Sequence, residues 1–371
     1  MLKEGQVRIP SGCAISGIFS RNGRRLDGEK IIASIETMHV RSNGLGGGFA
    51  AYGIYPEHRD CYALHVFYDN ETAKEEAEKL LLKYFEISVS EKIPTRPMPQ
   101  ITDAPIIWRY FAIPSPHFLQ DKELEEKELA VECVFKINAD IAGAYVFSCG
   151  KNMGVFKAVG YPEDVGRYYR LEEYEGYSWT AHGRYPTNTP GWWGGAHPFA
   201  LLDYTIVHNG EISSYDANRR FIEMYGYKCA LLTDTEVITY MIDYLHRRKQ
   251  LTLTEVADVI AAPFWEEIDR MPEDRRRYYT SLRNIFSDML ITGPFSILLG
   301  FEGGIMALND RLKLRSLVAA EKDDMVYIAS EECAIRAIEP ELDRIFAPKY
   351  GEPVIYTPVS YTHLRAHETA A

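Results

Sequence analysis

Apolar positions fall into short continuous runs and helical stripes, separated by glycine- and proline-bearing polar stretches. Residues 14–19 read as a short buried strand behind the turn Pro10-Ser11-Gly12. Ile31, Ile32 and Ile35 fall on one face of a helix over 29–38. An irregular loop at 43–48 leads to strands at 49–54 and 62–67 and a helix at 72–84. Residues 94–116, rich in proline, read as connective, and a helix is expected around 122–134. Residues 142–148 and 153–159 read as a pair of strands. Further strands are expected ending near Ala181 and at 205–207, with a helix at 221–225 that Gly226 caps. Thr233-Asp-Thr-Glu236 matches a capping box, and Val237, Tyr240, Met241, Tyr244 and Leu245 keep helical spacing behind it. Strands at 295–301, 304–308 and 325–330 and a helix at 331–338 complete the series. Strands in adjacent runs with flanking helices favour an α+β fold of stacked antiparallel sheets covered by helices.

Composition adds exclusions. The 371 residues are 46% hydrophobic and 25% charged, which suits a globular chain of two or three domains or one large sandwich. A net charge of -12 argues against a nucleic-acid surface, which needs clustered Lys and Arg. No apolar run approaches the ~20 residues that span a bilayer, and the first residues carry no apolar secretory core. The six cysteines form no C-x-x-C pair, so neither a zinc cluster nor a disulfide framework is expected. A cytoplasmic location with reduced thiols follows. Residues 360–369 resemble the translation of a sequencing adapter. The metal-like spacing of His363 and His367 is therefore set aside, and residues 359–371 are expected to be a disordered, non-native tail.

Four segments carry candidate chemistry. Cys13 heads the first strand; taken alone, such a cysteine is a small buried side chain. His182-Gly-Arg-Tyr-Pro-Thr-Asn188 places Arg184 near Thr187, a planar fork plus a hydroxyl suited to a carboxylate. The Gly- and Trp-rich stretch 190–195 then suggests a rigid aromatic loop over a pocket, and His197 follows it. In His208-Asn-Gly-Glu-Ile212, the Asn209 amide and Gly210 N–H suit an oxyanion hole, with a hairpin turn as the alternative. Asp234, at a helix start, offers a carboxylate for a ligand ammonium. Residues 43–48 are no phosphate loop, because no Lys-Ser/Thr follows.

Together these segments resemble the class II, N-terminal-nucleophile glutamine amidotransferases. The pattern appears as Cys13-Ala-Ile-Ser-Gly17, 41–48, 182–187, 196–199, 208–212 and 234–236, with Gly293-Pro-Phe-Ser296, Asn309-Asp-Arg311 and Ala329-Ser-Glu331 later. Ala14 and Tyr185 replace the usual Gly and Trp, Ala196 stands where Asn is frequent, and the Gly-rich segment lacks the usual Arg-Gly-x-Asp form.

The resemblance implies a four-layer αββα sandwich over 13–358, with an inserted segment before His182. It also implies a pro-segment, 1–12, whose removal makes the Cys13 amine free. Cys13 would then be the nucleophile and Asn209 and Gly210 the oxyanion donors. Arg184 and Thr187 would hold the α-carboxylate of L-glutamine and Asp234 its α-ammonium. His197 would support the carboxylate loop, Arg41 would order the segment beside Cys13, and His182 and His208 would be structural. No cofactor or metal is expected in this chain. The ammonia would pass to another chain, by closest resemblance the flavin and iron–sulfur subunit of an archaeal-type glutamate synthase, with N-methylglutamate synthesis as a sister case. The competing readings are an N-terminal-cysteine acylase for another amide and an unprocessed, non-catalytic scaffold subunit.

Overall fold

A computed structural model describes residues 12–122, 125–186 and 191–359. The first strand, Ala14–Ser20, explains the architecture around it. All seven of its residues are buried, so neither face meets water. Its side chains alternate: Ala14 and Ile18 pack among helix residues such as Ile31, Ile32 and Ile35, while Ile15 and Phe19 join Val207, Leu298 and Ala307 of a second sheet. A strand covered on both sides needs a layer on each side, which requires helix–sheet–sheet–helix stacking.

The first sheet has seven strands, all paired antiparallel, in the order Arg344–Phe346, Val318–Lys322, Met325–Ala329, Ala14–Ser20, Ser178–Gly183, Gly47–Tyr52 and Met153–Ala158. Helices Glu29–Glu36, Pro162–Tyr168 and Glu332–Arg336 lie over it. The second sheet runs Phe199–Leu201, Tyr204–Gly210, Phe295–Phe301, Gly304–Asn309 and Val354–Tyr356, also antiparallel. Helix Asp234–Ile242 packs on its Phe199–Leu201 and Tyr204–Gly210 strands. The expected αββα sandwich is what the chain forms.

The segment before His182 holds the largest departures. The proline-rich stretch is not merely connective: it contains the nine-residue strand Ile106–Pro114, joined to Phe85–Lys92, Tyr62–Tyr68 and Ala144–Lys151 in a third, four-stranded sheet. Nor do Ala144–Lys151 and Met153–Ala158 pair with each other. The first joins Tyr62–Tyr68 and the second joins Gly47–Tyr52, so the chain changes sheets at Asn152, which has a left-handed φ of 50°. Apolar patterning reports burial but not which neighbour buries a strand, and this separates the two outcomes. Helices Glu71–Tyr84 and Glu126–Asp140 cover the third sheet. Helices Pro162–Tyr168, Leu253–Ile260 and Trp265–Asp269 are among the elements that went unpredicted.

Residues 1–11 and 360–371, which hold most of the expected pro-segment and tail, lie outside the described residues. Among the described residues, no helix is long and apolar enough to cross a membrane.

The tight sheet-to-sheet contact yields a stability prediction. A Cβ at Gly17 would sit 2.9 Å from Ile305 Cδ1 and 3.0 Å from Leu298 Cδ1. Gly17→Val is therefore expected to lower stability by ~1–3 kcal/mol through overpacking. The check is the urea midpoint at unchanged m-value; an unmoved midpoint contradicts the packing.

Candidate active site

Three strand ends meet at one edge of the sandwich. Ala14 pairs with Gly183, so Cys13 emerges beside Arg184 and Tyr185. Gly210 closes the strand Tyr204–Gly210 in the facing sheet. The ends surround a cavity of about 320 Å³ whose wall includes Cys13, Arg184, His197, His208, Gly210 and Asp234.

Cys13 differs from most of the other cysteines. Cys133, Cys149 and Cys229 are buried, with thiols pushed far up by loss of solvent. Cys13 is half-buried at the cavity, and the Tyr185 N–H points at its Sγ from 3.3 Å. Burial raises its thiol pKa, and the Tyr185 N–H and the Arg184 charge counter this only in part. The thiol is thus neutral near pH 7 while Gly12 remains attached, and a base is needed to activate it.

The backbone around Cys13 is bracketed. Arg41 Nε donates to the Cys13 carbonyl at 3.1 Å, Arg41 pairs with Glu331 at 2.6 Å, and Gly12 N–H donates to the Arg41 carbonyl at 2.9 Å. Ser330 Oγ accepts from the Ile15 N–H at 3.1 Å and from the Asn209 amide at 3.5 Å. Arg41 thus links the Cys13 carbonyl to Glu331. Ser330 and Glu331 complete that bracket, a role that their Ala-Ser-Glu context did not reveal. Asn209 is buried behind the wall with its amide directed at Ser330, whereas Gly210 lines the cavity. No hairpin turns at Asn209-Gly210, since Gly210 pairs with Phe295 across the sheet and Glu211 N–H continues to the Pro294 carbonyl at 2.9 Å. A Cβ at Gly210 would lie 2.1 Å from the Pro294 carbonyl, so only glycine fits.

Asp234 opens helix Asp234–Ile242. Thr233 supplies the N-cap, its hydroxyl accepting from Glu236 N–H at 3.4 Å. The predicted capping box is only half made, because the Glu236 carboxylate accepts instead from Leu231 N–H at 3.0 Å and Tyr240 Oη–H at 3.1 Å. Burial disfavours the Asp234 charge, yet His208, the Thr235 hydroxyl and the Ile212 N–H outweigh it and hold the carboxyl below its ordinary value. The Thr235 hydroxyl donates to Asp234 at 3.1 Å and faces His197 Nε2 at 2.6 Å and His208 Nδ1 at 3.2 Å. Those partners assign the N–H to His197 Nε2 and His208 Nδ1. His182 Nε2 donates to the His208 carbonyl at 2.9 Å. Burial pushes His182 down to about 3 and His197 well below its ordinary value, so both rings are neutral struts.

The structure thus brings Cys13, Arg184, His197, Gly210 and Asp234 to one cavity, with Arg41 and Asn209 one layer behind. Thr187 lies outside the described residues. His197 Nε2 bonds to the Thr235 hydroxyl on the Asp234 side, and residues 187–190 of the expected carboxylate loop lie outside the described residues. The aromatic loop also differs: Trp192 and Trp193 pack against Tyr145 and Phe67 and line a separate cavity of about 600 Å³. Thr235, which links two imidazoles to the carboxylate, escaped sequence reasoning because a threonine inside a helix start has an ordinary structural explanation.

Residues 104–344 match the family "Glutamine amidotransferases class-II". The chain belongs to the class-II glutamine amidotransferases. The match begins beyond Cys13, which the fold returns to the cavity lined by residues between 184 and 234. An uncharacterized protein of Archaeoglobus fulgidus is 49% identical over 346 residues, covering 92% of this chain and 91% of its own. An amidophosphoribosyltransferase of Methanocaldococcus jannaschii is 25% identical over 54% of this chain, which spans only 38% of that enzyme's length. Among solved structures, a glutamine phosphoribosylpyrophosphate amidotransferase from B. subtilis aligns over 93% of this chain and 47% of its own, at 14% identity and a TM-score of 0.47.

Removing the Thr235 hydroxyl tests the Asp234 network. Thr235→Val keeps the shape but leaves the His197 and His208 N–H groups without their acceptor, at about 1–3 kcal/mol of stability. It also removes a donor that lowers the Asp234 pKa. We expect the acid limb of ligand binding to move to higher pH, read from binding between pH 4 and 7. An unshifted limb at unchanged Tm would refute the network.

Proposed function

We propose that this enzyme hydrolyses L-glutamine to glutamate and ammonia through a Cys13 γ-glutamyl thioester. The observation that carries the reading is the set of charges around one thiol: an Arg184 guanidinium and an Asp234 carboxylate share one cavity with Cys13 and Gly210. An α-amino acid with a side-chain amide complements that set. Arg184 receives the α-carboxylate with a planar pair of donors, and Thr187 assists it. Asp234, kept anionic by its network, receives the α-ammonium.

Chemistry follows from removal of residues 1–12. The liberated Cys13 amine, with a typical pKa of ~7.7–8.0, takes the proton that burial retains on the thiol. The thiolate attacks the side-chain amide carbon. The oxyanion is met by the Gly210 N–H and by the Asn209 amide, which leaves its long 3.5 Å contact with Ser330 to turn into the cavity, and losing one such donor typically costs ~10²–10³ in rate. The protonated amine returns its proton to the departing ammonia. Water then attacks the thioester, releasing glutamate and restoring the thiol.

Ammonia needs an acceptor, and we propose that it passes to a synthase subunit in another chain. Resemblance of the insertion before His182, the run 186–195 and Gly351-Glu-Pro-Val354 to the amidotransferase subunit of archaeal-type glutamate synthase supports a flavin and iron–sulfur partner that aminates 2-oxoglutarate.

Steady-state glutaminase kinetics test the reading. Cys13→Ala abolishes turnover. Arg184→Ala and Asp234→Ala each raise KM for glutamine roughly 10–100-fold, the ~1.5–3 kcal/mol typical of a hydrogen bond to a charged group. Protein blocked at the Gly12–Cys13 bond has no free amine and turns over no glutamine. Glutamine hydrolysis indifferent to both clamp substitutions would point instead to an acylase for another amide.

A further inference from the structure

Two ionisable side chains of opposite sign sit in the core, beside but outside the Cys13 cavity. Lys157, on strand Met153–Ala158, is completely buried, and Glu236, on helix Asp234–Ile242, is nearly so. A charged lysine or glutamate in the interior is costly unless paired. Among the described residues, Lys157 Nζ donates to the Gly194 carbonyl at 2.9 Å and lies 4.5 Å from the centre of the Phe199 ring. Glu236 accepts from Leu231 N–H and Tyr240 Oη–H. Both side chains face one small cavity of about 10 Å³, walled also by Asn138, Phe147, Phe199 and Tyr240. That is room for one water with polar partners on both sides.

Glu236 belongs to the helix that opens with Asp234, and Lys157 reaches by its hydrogen bond to Gly194 the segment that leads to His197. Gly194 stands three residues before His197, which reaches Thr235 Oγ1. Glu236 stands two residues after Asp234 on the same helix turn.

We propose that Lys157 and Glu236, bridged by a single buried water, form an internal strut that sets the spacing between the 191–199 segment and the helix turn bearing Asp234, and so tunes affinity for the α-ammonium of the substrate. This rests on the glutaminase reading for its substrate, though the strut itself does not. Lys157 and Glu236 are positioning residues, since neither lines the Cys13 cavity.

The surrounding charges agree with the assignment. Burial pushes Lys157 down to about 7, with Glu236 opposing the fall and Arg184 adding to it. Burial pushes Glu236 up to about 7, against the pull of Tyr240, the Leu231 and Ala230 N–H groups and Lys157. His197, the remaining ring near Lys157, is neutral, and Cys229 and Tyr215 near Glu236 are held protonated. A lysine lowered on folding costs stability fully below pH ~7, and the cost is relieved as pH rises towards ~10.4. A glutamate raised on folding costs stability fully above pH ~7, and the cost is relieved as pH falls towards ~4.3. The two costs overlap most near pH 7. The pair is thus a poor stabiliser at neutrality, which fits a part in positioning.

The test is the double variant Lys157→Met/Glu236→Gln in the processed, full-length enzyme. We expect its Tm to exceed that of the wild type by most near pH 7 and by less at pH 5 and pH 9. The KM for glutamine should rise about tenfold, with kcat changed less than about twofold. An unchanged KM, or a KM rise that accompanies a Tm loss at every pH, overturns the proposal. Should the variant fail to fold, a high-resolution crystal structure of the wild type decides. One ordered water bonded to both Lys157 Nζ and the Glu236 carboxylate sustains the strut, and a dry cavity or a direct ion pair removes it. If the wild type hydrolyses no glutamine, the proposed function fails, while the Tm profile and the water still judge the strut.

Discussion

The contact between the seven- and five-stranded sheets is the constraint from which the site follows. Ile15 and Phe19 on one side and Val207, Leu298 and Ala307 on the other form a dry layer with almost no exposure. Interlocked side chains at crystal-like density leave little freedom for one sheet to slide on the other. The start of strand Ala14–Ser20 is therefore held against the end of strand Tyr204–Gly210. Cys13 and Gly210 become neighbours although nearly two hundred residues separate them. Antiparallel pairing of Ala14 with Gly183 brings Arg184 and Tyr185 to the same edge.

On that frame, burial acts oppositely on the different groups. It keeps the Cys13 thiol protonated and the His182 and His197 rings neutral. Asp234 alone among these is driven the other way, because His208, Thr235 and the Ile212 N–H converge on its carboxylate. A cavity so arranged has a fixed anion, a fixed cation and a protonated thiol. Under the function we propose, the base it needs is the α-amine of residue 13 itself, which requires no further buried side chain.

Much of this was legible in the sequence where patterning and chemistry coincide. The largely apolar run after Cys13, the arginine after His182 and the Asp-Thr-Glu helix start each suggested both an element and a role. The third sheet was not legible, because Ile106–Pro114 is flanked by prolines that signal connection, while its strand character comes from neighbours distant in sequence. The Lys157–Glu236 pair was hidden for a related reason. Lys157 lies in a strand whose pattern gives no sign of a buried lysine, and Glu236 reads as half of a capping box. Local sequence reports what a residue can do with nearby backbone. It does not report which cavity a long side chain will enter once two elements pack.

The central claim is that the residue-13 thiol, activated by its own amine, attacks a glutamine-like amide in the cavity shared with Arg184 and Asp234. Intact-mass analysis of the purified protein after exposure to a glutamine-like alkylating agent addresses it most directly. The account predicts a chain lacking residues 1–12 and carrying one adduct, mapped to Cys13 and suppressed by excess L-glutamine. A chain that keeps Met1 and takes up no adduct, or an adduct on another cysteine, would contradict it.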